Sequence, residues 1–147
     1  MAYEYKIRRL VEFSDTDMAG IVHHAVFYRY MESAEHAFFR SLGLTVAPPK
    51  NSSSVGWPRV HTEADFSAPL RFEDEVEIHL LVAEKKSKAL TYAFRLRKLN
   101  TAEPYEVARG RITVVCIKMV SGKMKAANIP KEITDKISVA PTRLLKI

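Results

Sequence analysis

The chain of 147 residues contains one cysteine and no apolar run that approaches membrane-spanning length. Cys116 alone can form no disulfide within the chain, no Cys-x-x-Cys redox pair and no thiolate metal cluster. Its neighbours Val115 and Ile117 predict a buried thiol on a strand. Charges at Glu4 and Lys6 interrupt the N-terminal stretch where a secretory signal needs apolar residues. We therefore expect a cytoplasmic protein with no stable membrane association.

Glycine and proline are also scarce, and charge of neither sign is concentrated in one segment. The 5 glycines and 7 prolines exclude collagen-like and disordered classes, and 47% hydrophobic residues are typical of a globular protein. The length predicts a single domain over residues 1–147. The 23 Lys and Arg residues exceed the 17 Asp and Glu residues, which favours an anionic partner. Because the basic residues are scattered among acidic neighbours, we do not expect that partner to be nucleic acid.

One long amphipathic helix is the clearest element in the sequence. Its apolar stripe, at helical spacing, consists of Phe27, Met31, Ala34 and Phe38. The predicted polar face carries Arg29, Glu32, Glu35, His36 and Arg40. Gly43 followed by Leu44 is typical of a left-handed cap, so we expect the helix to end near Leu42. Such a stripe is suited to packing across a sheet.

Strand-like alternation of apolar and polar residues flanks this helix. One segment precedes the helix and four follow it, at residues 3–13, 60–66, 76–82, 90–96 and 107–117. Short connections fall at residues 85–88 and 100–104, and a mobile loop is predicted from Pro48 to Ser54. This order predicts an α+β fold in which an antiparallel sheet wraps around one helix.

Residues 13–24 concentrate the reactive groups between the first strand and the helix. The unpaired N–H groups of a helix N-terminus can polarise a carbonyl, and a nearby Asp can act as nucleophile or general base. We expect Asp15 to cap the loop. Gly20 is expected to meet a backbone requirement, since a loop that approaches a carbonyl substrate leaves little room for a side chain.

A metal site is the sharpest competing interpretation of the same segment. Its candidate ligands are Asp15, Asp17, His23 and His24. Adjacent histidines at a helix start diverge by about a third of a turn, and Tyr28 stands where a second helical ligand is needed. We therefore predict no metal site, with His23 as a surface or interface residue.

The segment also carries a family resemblance. Asp15-Thr16-Asp17, Gly20-Ile21-Val22 and His24, followed by Glu32 and Ala34, resemble the signature of hotdog-fold acyl-CoA thioesterases. The pattern is similar to the 4-hydroxybenzoyl-CoA thioesterase group and to the thioesterase associated with the Tol-Pal system, and it continues through residues 66–70 and Asp74. The resemblance implies a long central helix wrapped by a five- to six-stranded antiparallel sheet. It also implies homodimers, sometimes paired as dimers of dimers, with active sites at the dimer interface and no cofactor beyond the substrate's coenzyme A.

Residue roles follow from the resemblance. Asp17 would attack the thioester carbonyl or activate the attacking water. The backbone N–H of His24 would bind the carbonyl, and the His24 side chain would assist. Phe13 replaces the tyrosine of the Tol-Pal type, and His24 replaces an aromatic residue of the hydroxybenzoyl type, so the chain mixes features of both subgroups.

Further substrate contacts are expected at Gly20, Glu32, Lys86 and Lys88. Glu32 fits a substrate contact or a solvated helix face equally well. The two lysines flank a hairpin with Lys85, where they would meet coenzyme A phosphates or merely solvate a sheet edge. The predicted activity is hydrolysis of an acyl-CoA thioester. The alternatives are an acyl-carrier-protein thioesterase, another hotdog thioester enzyme, and a non-catalytic acyl-CoA-binding module.

Overall fold

A computed structural model describes residues 1–51 and 54–147, so Ser52 and Ser53 of the predicted loop lie outside the described residues. The main strands are β1 (Glu4–Leu10), β2 (Arg59–Phe66), β3 (Glu75–Lys85), β4 (Ala89–Lys98) and β5 (Tyr105–Val115). A short hairpin follows, formed by β6 (Ile117–Val120) and β7 (Lys123–Ala126). The helices are α1 (His24–Ser41), α2 (Lys131–Thr134) and α3 (Thr142–Leu145).

The five main strands form one antiparallel sheet in the order β1-β3-β4-β5-β2. The predicted connections at residues 85–88 and 100–104 join β3 to β4 and β4 to β5. Strand β5 lies between two partners, as its apolar character on both faces indicated. The predicted α+β hotdog architecture, with one long helix and a five-stranded sheet, is confirmed.

Both ends of α1 are set by local sequence. His23 has an extended backbone, and its Nδ1 accepts a hydrogen bond from the Ala25 N–H at 3.1 Å, which caps the N-terminus. At the other end Gly43 has φ 75°, and the Leu44 N–H donates to the Phe39 carbonyl. The predicted end near Leu42 is confirmed.

The core lies between the apolar stripe of α1 and one face of the sheet. The predicted stripe residues Phe27, Met31, Ala34 and Phe38 are all buried. They belong to the same cluster as the inward side chains of β3 and β4, which are Val76, Ile78, Leu80, Val82, Leu90, Tyr92, Phe94 and Leu96. Cys116 is also buried, as predicted, and burial raises the pKa of its thiol.

Strand β2 departs from the pattern expected of a half-buried strand. Val60 and Phe66 belong to its apolar set, yet 61% and 48% of their surface is exposed. The physical reason is position, because β2 lies at the edge of the sheet and, among the described residues, pairs with β5 alone. The alternation in the sequence identified the strand but not its place in the sheet.

The predicted polar face of α1 includes Glu35, but the structure buries this residue within the protein. Its side chain is 2% exposed, and its carboxylate accepts two hydrogen bonds from the Arg59 guanidinium, at 2.5 and 3.3 Å. Burial raises the pKa of Glu35, and the Arg59 pair opposes that shift. The Tyr92 phenol is buried nearby, with no hydrogen-bond partner among the described residues. The Arg59 guanidinium neutralises the Glu35 carboxylate, and this pairing allows a charged residue to be buried at this position of α1.

Among the described residues, no helix is both long enough and apolar enough to cross a membrane.

Candidate active site

Asp15 ties the loop before α1 to the helix itself. One of its carboxylate oxygens accepts hydrogen bonds from the Glu12 N–H at 2.9 Å and from the buried Tyr30 hydroxyl at 2.8 Å. Its carbonyl accepts from the His23 N–H. Burial and the adjacent Asp15 carboxylate raise the pKa of Tyr30 well above its ordinary value, so the phenol remains a donor. The predicted capping role of Asp15 is confirmed.

Asp17 begins a tight turn that fixes its carboxylate. Its Oδ1 accepts from the Ala19 N–H at 2.9 Å, its carbonyl accepts from the Gly20 N–H, and its own N–H donates to the Ile21 carbonyl. The side chain is half-buried, and within the described part of the chain its Oδ2 has no hydrogen-bond donor. One oxygen is therefore anchored while the other is available for chemistry.

Gly20 closes this turn with φ 80°, a conformation that side chains rarely adopt. A Cβ placed there would meet no other atom within 4 Å. The glycine thus meets a backbone requirement, as predicted, but the reason is its dihedral angle and not a lack of space.

His23 and His24 do not diverge as the metal argument assumed. Their rings stack with centroids 4.3 Å apart, because His23 is the extended cap residue and only His24 belongs to the helix. Among the described residues, no group of three His, Cys, Asp or Glu side chains is placed to hold a metal ion. Within the same residues the His24 N–H has no acceptor, which leaves a donor aimed outward from the helix N-terminus.

A cavity of about 540 Å³ brings two of the predicted site residues together. Its lining consists of Asp17, Ile21, Val22, His24, Phe27, Phe66, Ala68, Pro69 and Arg71. An apolar pocket with a few polar groups is the usual form of a small-molecule site. Asp17 and the start of α1 therefore face the same space, as catalysis on a carbonyl requires.

The other predicted substrate contacts do not line this cavity. Gly20 lies on the exposed side of its turn. Glu32 is 53% exposed and pairs with Arg59, with an oxygen to nitrogen distance of 3.6 Å. Lys86 is exposed and 3.9 Å from Glu84, and Lys88 is exposed beside it in the same hairpin. Their roles at the substrate stay predictions.

Lys85 of the same hairpin has a structural task. Its Nζ donates to the carbonyls of Thr134 and Ile137, at 2.9 and 2.7 Å, and so holds the segment around α2 against the end of β3. The Lys85 ammonium group is therefore bound within the protein, whereas Lys86 and Lys88 are exposed.

The sequence interpretation did not single out Arg71, which lines the cavity with Asp17 and His24. The usable signal was its position, directly after the Phe66-Ser67-Ala68-Pro69-Leu70 segment that carries part of the resemblance.

The long helix packed on a five-stranded antiparallel sheet is the fold of the hotdog thioesterases. A family model of the Thioesterase-like superfamily matches residues 11–137, and the chain belongs to that family. The predicted family and enzyme class are thereby confirmed.

Known relatives agree with this assignment. The chain is similar to a 1,4-dihydroxy-2-naphthoyl-CoA hydrolase from Gloeothece citriformis (strain PCC 7424), with 30% identity over 77% of this chain and 78% of that protein. It is 25% identical to the acyl-CoA thioesterase YbgC of Haemophilus influenzae (strain ATCC 51907 / DSM 11121 / KW20 / Rd), over 84% of this chain and 86% of the relative. The solved 4-hydroxybenzoyl-CoA thioesterase from Pseudomonas sp. strain CBS-3 shares the fold, with a TM-score of 0.81, 21% identity and coverage of 92% and 99%.

Removal of the Tyr30 hydroxyl should loosen the loop that carries Asp17. We expect Tyr30→Phe to lower the free energy of unfolding by roughly 1.5–3 kcal/mol, the range for a hydrogen bond to a charged group. Because the loop loses its tie to α1, kcat should also fall severalfold. Urea unfolding and steady-state thiol release would measure both effects. Tyr28→Phe, on the same helix and with no hydroxyl bond to any described residue, should change neither, and equal effects in the two variants would contradict this role.

Proposed function

We propose that this thioesterase hydrolyses acyl-CoA thioesters to a free acid and coenzyme A, at the cavity shared by Asp17 and His24. One observation supports the proposal above all. A single cavity of about 540 Å³ is lined by Asp17, whose carboxylate is anchored, and by His24, whose helix N-terminal N–H has no acceptor among the described residues. The relatives named as hydrolases of CoA thioesters support the substrate class.

In the proposed mechanism the thioester carbonyl oxygen accepts a hydrogen bond from the His24 N–H. This donor and the partial positive charge of the α1 N-terminus stabilise the negative charge that develops on that oxygen. The Ala19 N–H holds Oδ1 of Asp17, which leaves Oδ2 directed to the reaction. The His24 side chain, supported by its stack on His23, assists at the edge of the cavity.

Two routes satisfy this geometry. In the first, Asp17 takes a proton from water, the hydroxide attacks the carbonyl carbon, and the tetrahedral intermediate expels the coenzyme A thiolate. In the second, Asp17 attacks the carbonyl carbon itself, the thiolate leaves, and water hydrolyses the resulting mixed anhydride. A single turnover in ¹⁸O-labelled water tests the second route, because solvent oxygen enters the Asp17 carboxylate only when water attacks the Asp17 carboxyl carbon of the anhydride. Rapid chemical quench covers attack on the acyl carbon, because only the second route forms an acylated Asp17.

The proposal includes a homodimer. Glu32, Lys86 and Lys88 do not line the cavity of their own chain, and in a dimer they would be available to substrate bound by the partner copy. The edge strand β2 exposes Val60 and Phe66, and an exposed edge of this kind favours pairing with a second copy. Sedimentation equilibrium would test this part, and a chain that stays monomeric at assay concentrations would contradict it.

A panel of short, long and aromatic acyl-CoAs assayed for thiol release tests the proposed reaction. We expect at least one of these substrates to be turned over at a rate that depends on Asp17. If wild-type protein binds acyl-CoA tightly but releases no thiol from any member of the panel, the chain is a binding module. If thiol is released only from acyl carrier protein substrates, the carrier in the proposal is wrong.

A further inference from the structure

Arg71 is a cation in the candidate active site with no assigned task. It lines the cavity with Asp17 and His24, and its side chain is exposed. Across residues 1–51 and 54–147, no carboxylate pairs with its guanidinium and no carbonyl accepts a hydrogen bond from it. Other arginines near the sheet, such as Arg59 and Arg109, are paired with carboxylates. The guanidinium of Arg71 therefore keeps all its donors for a ligand.

The backbone that carries Arg71 is held firmly beside the helix start. The preceding carbonyl, of Leu70, accepts from the Val22 N–H at 2.8 Å. The N–H of Arg71 donates to the buried Asp74 carboxylate at 2.8 Å, and the Asp74 N–H donates back to the Arg71 carbonyl at 3.0 Å. This turn is therefore tied both to the loop that leads into α1 and to itself.

Asp74 is built to maintain the turn. Burial alone would raise its pKa, but hydrogen bonds from the Asn100 amide and the Arg71 N–H, together with Lys98 at 3.5 Å, hold the pKa below its ordinary value. Glu73, between Arg71 and Asp74, has φ 68°, a strained conformation for a residue with a side chain. Strain of this kind persists only where the surroundings hold the backbone, and here the two bonds between Arg71 and Asp74 hold it.

We propose that Arg71 binds an oxyanion of the substrate at the mouth of the cavity. A guanidinium recognises phosphate and carboxylate groups through paired N–H donors, and a fixed backbone reduces the entropy lost on binding. The oxyanion belongs either to the phosphates of the coenzyme A carrier or to a carboxylate on the acyl group. This inference rests on the proposed function for its substrate class, but the contact can be measured without turnover.

Three non-hydrolysable thioethers would test the contact by equilibrium binding. S-butylpantetheine has no anionic group, S-(3-carboxypropyl)pantetheine has only an acyl-side carboxylate, and S-butyl-CoA has only the phosphates. In Arg71→Gln we expect the Kd of one anionic probe to rise at least about tenfold, the effect of losing a charge-assisted hydrogen bond, and the Kd of S-butylpantetheine to stay within about twofold. The probe that loses affinity identifies the source of the oxyanion.

Two further variants complete the test. Arg71→Lys keeps the charge without the paired donors and should recover part of the lost affinity. Arg40→Gln removes an exposed arginine near the C-terminal end of α1. This residue lies about 24 Å along the helix from His24, so all three Kd values should stay unchanged. The substitutions at Arg71 retain its backbone N–H, so the bond to Asp74 remains.

The inference is overturned if Arg71→Gln weakens all three probes equally or none of them by more than about twofold. Failure of the proposed function would look different, since wild-type protein would then release no thiol while the binding comparison could still be made.

Discussion

Asp17→Asn is expected to lower kcat by at least about 100-fold while the protein stays folded, the loss that follows removal of a positioned acid, base or nucleophile. Asparagine has nearly the same shape, and its side-chain oxygen can still accept the Ala19 N–H bond that anchors Asp17 at 2.9 Å. The turn should therefore persist while the negative charge at Oδ2 is lost. Because the charge is needed for reaction and not for substrate contact, KM should change much less than kcat.

Steady-state thiol release and urea unfolding on the same preparation would separate chemistry from folding. Asp135→Asn, which removes an exposed carboxylate directly after α2, serves as the matched control and should retain wild-type kcat. Near-normal turnover by Asp17→Asn would remove Asp17 from the mechanism. A large fall in the free energy of unfolding would assign Asp17 a structural role instead.

Arg59→Ala is expected to destabilise the protein more than Tyr30→Phe or Asp17→Asn. It leaves the Glu35 carboxylate, 2% exposed, without the guanidinium that gives it two hydrogen bonds. Breaking a buried pair in this way costs roughly 3–5 kcal/mol, and we expect the lower end because Arg59 reaches solvent with 29% of its side chain. Replacement of both partners, in Glu35→Met combined with Arg59→Met, should recover most of the loss because no buried charge remains.

The pH dependence of Arg59→Ala provides a second readout. Burial raises the pKa of Glu35 in the folded protein, and without Arg59 the main opposition to that shift is gone. When a carboxyl has a higher pKa in the folded protein than in the unfolded chain, the protein loses stability as the pH rises above the pKa of the unfolded state. Ionisation of the carboxyl then favours the unfolded chain. The deficit relative to wild type should therefore be larger at about pH 8 than at about pH 5. A deficit that is constant across this range would mean that Glu35 is solvated in the variant.

Much of the fold could be predicted from local pattern. The apolar stripe from Phe27 to Phe38 and the cap at Gly43 defined α1, because helical spacing and left-handed backbone are properties of short segments. Edge position was not predictable in the same way. The alternation in β2 is compatible with a central or an edge strand, and only the pairing order left Val60 exposed.

The residues of the candidate site also differ in whether local sequence could reveal them. The short segment from Asp15 to His24 was found from its residue types, because a loop carboxylate and a helix N-terminus are neighbours in the chain. Arg71 was missed because it lies far from that segment in sequence. The hydrogen bond from the Val22 N–H to the Leu70 carbonyl places it beside the cavity. Glu35 was misplaced because a single distant partner, Arg59, reversed the preference of a carboxylate for solvent.

The sequence by itself determined the order of the long helix and the five main strands, the family and the loop that carries Asp17, since these depend on residues close together in the chain. It did not predict the β6–β7 hairpin or the short helices α2 and α3. Tertiary structure alone decided which charges are paired, which strand edge is open and which cation faces the cavity. These properties depend on contacts between residues distant in sequence, and burial and neighbouring charge, which set the state of each ionisable group, exist only once those contacts have formed.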